Sequence, residues 1–233
     1  MELVTTTSGF EMLLRWGHLL AGITWIGMLY YFNLVQGEFF KEAQADTKSE
    51  AIQKLVPRAL FWFRYGAVVT LLTGIGMLGL RGGGGSVDIY VGSLLGIIMF
   101  TNVWLIIWPN QKIIIESTTR VAQGESPLPE VGAALATAGL ASRTNALFSM
   151  PMLYFMGASS HFPHSFNVFA FLLATLLILA LEYNGAYPVL KHIPALSKLP
   201  EGGKMGPYTS IKGLAHCGLG LTVVLFLIVH YIN

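Results

Sequence analysis

WGHLLAGITWIGMLYYFNLVQG, residues 16–37, runs from Trp16 to Gly37 without an aspartate, glutamate, lysine or arginine. A helix crossing about 30 Å of hydrocarbon at 1.5 Å per residue needs about 20 such positions, so this stretch reads as a transmembrane helix. Six segments of the chain satisfy the same requirement: 12–35, 58–80, 87–109, 143–161, 166–187 and 210–231. The expected fold is all-α, a polytopic membrane protein whose single domain, 1–233, is a bundle of about six transmembrane helices. Composition agrees. Charged residues make up 11% and hydrophobic residues 54% of the chain, against about 25% charged in soluble domains, and the mean hydropathy is +0.61. These figures exclude a disordered chain, a disulfide scaffold and a nucleic-acid binder. The net charge of +2 is too small to dominate binding. Cys217 is the only cysteine, so the chain carries no internal disulfide, zinc knuckle or CxxCH haem-attachment motif.

The first span is not a signal peptide: Met1 to Phe10 carry Glu2 but no lysine or arginine, and no A-x-A site follows. RGGGGS (Arg81 to Ser86) is expected to be a flexible turn and SHFPHS (Ser160 to Ser165) a tight one. The segment Pro188 to Pro207, rich in proline, lysine and glycine, reads as a loop. Pro151 falls inside the fourth span and should kink it. Six spans place both termini on one face, the terminal face, and segments 36–57, 110–142 and 188–209 on the other. Eleven of the 14 lysines and arginines, from Lys41 to Lys212, belong to that second, lysine-rich face, and only Arg15 and Arg81 belong to the terminal one. The positive-inside rule then puts the lysine-rich face in the cytoplasm. The expected localisation is the cell membrane, multi-pass, with both termini outside.

Ionisable side chains inside a membrane are costly, and each is a functional candidate. Four of the six histidines, His18, His161, His164 and His230, collect at the terminal face from three helices; His216 and His192 lie toward the other. His18 and Trp25 share one face of the first helix, with Gly22 one turn from His18. A haem b held between helices wants this set: an imidazole for iron, a small residue beside it and aromatic walls. The alternative is that His18 hydrogen-bonds a neighbouring helix and the glycines serve packing. In the sixth helix His216 and His230 share a face about 21 Å apart, a spacing suited to two stacked haems. A second ligand on the lysine-rich side is lacking apart from His192, so one haem is favoured over two. His230 also fits an interfacial anchor beside Tyr231. Glu182, alone inside the fifth span, fits an ion pair with Arg143 or Lys212, a proton path or a clamp for a haem propionate. Met150 and Met152 beside Pro151 read as packing. No Ser–His–Asp order, HExxH or phosphate loop is present, and the GGGG run lacks the βαβ context of a dinucleotide site.

WGHLLAGITWIGMLYYFNLVQ (Trp16 to Gln36), NVWLIIWPNQK (Asn102 to Lys112) and SRTNALFSMPMLYFMGASSHF (Ser142 to Phe162) together resemble the N-terminal membrane domain of the membrane-bound urate oxidase (urate hydroxylase) family. The opening His-x6-Trp-x-Gly helix is also similar, over a shorter stretch, to the first helix of the haem-b-binding protoporphyrinogen oxidase of bacteria. In the urate oxidase family a c-type cytochrome domain typically follows the membrane domain, which implies that electrons leave through haem on the outside. This chain ends at Asn233 without CxxCH, so the expected acceptor is a separate external c-type cytochrome or a quinone, with other membrane subunits as further partners.

Three functions are consistent with these residues. The first is a haem-b-binding oxidoreductase or electron-transfer subunit, with His18 as one iron ligand, His230 or His161 as the other, and Gly22, Trp25 and His216 near the cofactor. The second is a membrane enzyme that oxidises urate or another small substrate. The third is a non-catalytic scaffold subunit of a larger complex.

Overall fold

The computed structural model describes residues 2–82, 85–196 and 198–232. Gly83 and Gly84 of the expected glycine turn lie outside the described residues. Six long helices organise the chain: α1 (Thr7–Glu42), α2 (Val56–Leu80), α3 (Val87–Ala122), α4 (Val131–His161), α5 (Val168–Leu190) and α6 (Ile211–Tyr231). All but α4 are long and apolar enough to cross a membrane by length and composition alone. The result is a polytopic all-helical bundle of five to six spans.

Helix starts follow local chemistry. Thr6, Ser86, Asn167 and Ser210 each cap a helix by accepting a backbone N–H, which satisfies amides that have no partner inside the helix. On the lysine-rich side three helices overrun the expected spans. α1 continues to Glu42, α3 to Ala122, and α4 begins at Val131 rather than 143. Segments 36–57 and 110–142 are therefore largely helical, whereas the loop expected over Pro188 to Pro207 holds only short 3-10 turns beyond Leu190. A hydropathy reading stops where polar residues begin, whereas the helix stops only where its hydrogen bonding does. Ile114 on α3 and Ala134 and Ala138 on α4 form a small core outside the apolar zone, covered by Ile52 of a short helix, Ala45–Lys54.

α1 and α2 form one intimate hairpin, and α3 and α4 form another. Glycine permits both approaches. A Cβ on Gly66 would lie 3.2 Å from the Ala21 carbonyl oxygen, and one on Gly92 would lie 3.2 Å from the Met156 nitrogen. Between the two hairpins contact is sparser. α4 is the hub. It touches α1, α3, α5 and α6, and it carries fourteen buried residues, Pro151 among them.

Two of the long helices widen into π-helix, at Tyr31–Gln36 in α1 and Asn102–Ile107 in α3. Each π segment holds a buried asparagine facing α4. Asn33 donates to Ser142 Oγ at 2.9 Å. Asn102 donates to Asn145 Oδ1 at 2.9 Å and to Glu182 Oε2 at 3.0 Å, while Asn145 donates to the Met99 carbonyl at 2.9 Å. Glu182 thus takes an amide partner, not Arg143 or Lys212 as in the ion-pair reading, one of the three that its position in the sequence allows. Arg64, within α2, stacks on the Trp108 ring with its guanidinium carbon 3.4 Å from the ring centroid, a cation–π contact suited to a cation in an apolar setting.

Candidate functional site

The gap between the two hairpins opens as a cleft of about 490 Å³ at the terminal face. α1 contributes Arg15 and His18, α2 Gly74 and Arg81, α3 Ser93, and α4 Met156 and His161. A narrower apolar extension of about 60 Å³ leads inward past His18 to Trp25, Gly96 and Met152. The volume lies within the 300–1,000 Å³ typical of ligand sites.

His18 Nδ1 lies 3.1 Å from Thr73 Oγ1. The Thr73 hydroxyl donates within its own helix, to the Val69 carbonyl at 2.6 Å. A Thr73 oxygen that accepts toward His18 goes with the tautomer protonated on Nδ1. This is the arrangement in which a neighbouring oxygen orients an imidazole that ligates a metal. A Cβ on Gly74 would stand 3.2 Å from His18 Cε1, so the small residue beside the imidazole is Gly74. Gly22, expected in that role, does not line the cleft, and a Cβ there would meet nothing within 4 Å. Trp25 lines the inner extension. It is 2% exposed, and its indole N–H is buried without a partner among the described residues.

At the mouth Glu11 binds Arg15 at 2.6 Å and approaches Arg81 at 3.6 Å. One carboxylate between two guanidinium groups leaves a net positive rim, built from the two cations that the sequence places on this face.

The four terminal-face histidines divide. His18 and His161 line the cleft. His164 and His230 belong to a separate chain of contacts anchored by Asp88, whose side chain is fully buried. The Asp88 carboxylate accepts the His164 backbone N–H at 2.7 Å and lies 3.0 Å from His164 Nδ1. His164 Nε2 in turn lies 3.1 Å from His230 Nδ1. His230 stacks on Phe226, with centroids 5.2 Å apart. This relay ties the start of α3, the α4–α5 turn and the end of α6 together. His216 and His192 are exposed, away from both groups. No set of three or more His, Cys, Asp or Glu among the described residues is placed to hold a metal ion; the candidate iron ligands are individual side chains.

Sequence reasoning missed Thr73, Gly74, Asp88 and Met156. Thr73, Gly74 and Met156 look like ordinary membrane-helix residues, and nothing local marks them. Asp88 carried a signal, a carboxylate at the start of an apolar helix, and its distance from His164 along the chain hid the partner.

Residues 83–198, just under half the chain, match the family described as Urate oxidase N-terminal. The chain is a distant relative of that urate-oxidase-like family. The matched segment contains Asn102 to Lys112 and Ser142 to Phe162, and with them His161 and Arg143, whereas His18 and the α1–α2 hairpin lie before it. No curated protein and no solved structure matches the chain.

Proposed function

We propose that this protein is a membrane-embedded oxidoreductase acting on urate or another small substrate, with the cleft at His18 as its cofactor site. The observation that carries the proposal is the imidazole of His18, which lines a cleft of ligand-site size while Thr73 contacts its Nδ1. The distant relationship to urate oxidases supports the oxidative chemistry.

The cleft suits a single haem b. His18 would be one iron ligand, and His161, which also lines the cleft, is the candidate for the other. Gly96 leaves open space beside the helix backbone, where a Cβ would meet nothing within 4 Å. Arg15 and Arg81 at the rim would pair with the carboxylate substituents of such a group. A haem b supplies one-electron redox chemistry whose potential depends on its ligands and burial. The chain's own part is to hold the imidazole in one tautomer, keep the walls dry and open the rim outward. With the lysine-rich face in the cytoplasm, that rim faces an external c-type cytochrome or quinone.

The test is a reduced-minus-oxidised visible spectrum of the purified full chain, with a pyridine haemochrome assay, followed by addition of urate. The expected result is a b-type α-band at about one haem per chain, lost in His18→Ala, with urate-dependent reduction. A folded protein with a featureless spectrum overturns the cofactor assignment and leaves the scaffold reading. A haem band that urate never reduces leaves an electron-transfer subunit in place of an enzyme.

A further inference from the structure

Arg64 lies within α2, about 12 Å from its start at Val56 at 1.5 Å per residue, and the His18 cleft does not use it. Its Nε donates to the Leu60 carbonyl at 3.1 Å. None of the ion pairs among the described residues involves it. The guanidinium carbon stands 3.4 Å from the centroid of Trp108, and Lys112, one turn further along α3, brings its Nζ to 5.7 Å from the same centroid. Lys112 also takes no part in those ion pairs. Two cations from different helices therefore share one indole. A ring face attracts a cation but brings no net charge to neutralise it, and an uncompensated cation at the edge of hydrocarbon marks a functional position.

Arg64 is half-buried and Lys112 exposed, so a ligand reaches them from outside the bundle. The surface around them is apolar. Phe61 packs on Tyr65 at 4.7 Å, and Tyr65 meets Trp104 edge-on at 6.0 Å across the seam between α2 and α3. Trp62 is 60% and Leu105 69% exposed, so in a membrane this flank meets lipid. Phe61 and Trp62 also line a surface hollow of about 360 Å³ together with Pro57 and Arg58. A third basic residue thus adjoins the same aromatic surface, again outside the ion pairs.

We propose that the α2–α3 seam on the lysine-rich face binds a membrane phospholipid whose headgroup carries a net negative charge. The phosphate oxygens accept hydrogen bonds from the terminal nitrogens of Arg64, Lys112 supplies further positive charge, and an acyl chain runs past Leu105 and Val69 toward the bilayer centre. Charge complementarity selects the occupant. A zwitterionic lipid brings its own cation and leaves these three uncompensated, and a water-soluble anion leaves the apolar flank uncovered. Exposed tryptophan and tyrosine at this level are the side chains that meet headgroups, and basic pockets between helices on the cytoplasmic side suit anionic ones. The site stands whether or not the His18 cleft holds a porphyrin.

The experiment is tryptophan quenching of the full chain in phosphatidylcholine vesicles. A tenth of the lipid is either phosphatidylglycerol or phosphatidylcholine brominated on its acyl chains. Trp62, Trp104 and Trp108 report from the seam. The relative binding constant is expected to favour phosphatidylglycerol at least fivefold. Arg64→Gln should bring it to within twofold of unity, and Lys112→Gln should at least halve it. Lys191→Gln, which removes an exposed cation at the end of α5, should leave it unchanged. If Arg64→Gln fails to fold, Lys112→Gln, at an exposed position, decides. Equal quenching by the two lipids, or a preference that survives in folded Arg64→Gln or in Lys112→Gln, overturns the proposal. So does an equal loss in Lys191→Gln, which reduces the effect to surface potential, or abolition of the preference by millimolar inorganic phosphate, which makes it a site for any anion.

Discussion

The two ends of α4 solve opposite problems. At the terminal end the polar groups are largely matched: Thr73 holds His18, and Glu11 sits between Arg15 and Arg81. What remains there is His18 on the cleft wall, the kind of side chain a metal centre uses. At the other end the matching fails: one terminal nitrogen of Arg143 and Oε1 of Gln36 are buried without partners among the described residues. Between the two, α4 carries Ser142, Asn145 and Ser149, each bonded to a neighbouring helix.

Substitutions that act on one end and spare the other sharpen this comparison, and a shared response would break it. The largest effect expected is from His18→Ala, which removes the haem band completely. Arg143→Met, 18 residues along α4 from His161, should leave the haem spectrum unaltered. Thr73→Val keeps the shape of the side chain and removes the acceptor that fixes His18. Haem affinity should fall about 10- to 100-fold, the usual consequence of losing the group that orients a ligating imidazole, read as faster haem loss to an excess of apomyoglobin.

Between the two ends, Asn102→Leu deprives both Asn145 Oδ1 and Glu182 Oε2 of their donor. A cost of about 1–3 kcal/mol is expected, seen as a lower Tm with the haem spectrum preserved. The smallest effect belongs to Glu50→Gln, on the surface helix. Glu50 pairs with Lys54 at 2.7 Å, and this contact holds its carboxyl below the usual carboxylate range. A lowered folded-state pKa contributes only above the unfolded value and is lost as pH falls through the folded one. At pH 7 the substitution should leave Tm within error, and any difference from wild type should vanish in acid.

Among the helices, α5 and α4 mark how far the fold was legible in the sequence. α5 reads plainly as a span because lipid faces most of it; only five of its residues are buried. α4 is the central helix and is the one that does not qualify by composition. Apolar runs report contact with lipid, and a helix surrounded by protein can afford Thr144, Asn145 and Ser149. Six long helices stand where the sequence placed six spans, because the apolar half of α4, 143–161, was still visible. The extension to Val131 was not, since its residues pack on α3 and a surface helix outside the hydrocarbon.

By itself the sequence determined the all-helical membrane class, the number of long helices, the charge asymmetry of the two faces, and His18, Trp25 and Glu182 as groups needing explanation. Each of these follows from local hydropathy or from the cost of a polar atom in lipid. Only the tertiary structure decided the partners: Thr73 for His18, Gly74 in place of Gly22, Asp88 and His230 around His164, Asn102 in place of Arg143 for Glu182. Among these pairs, hydrogen bonds join residues up to 80 positions apart, as between Asn102 and Glu182. They depend on which helix faces meet, and that is settled by close approach at Gly66 and Gly92 and by the two π segments, none of which a single helix records.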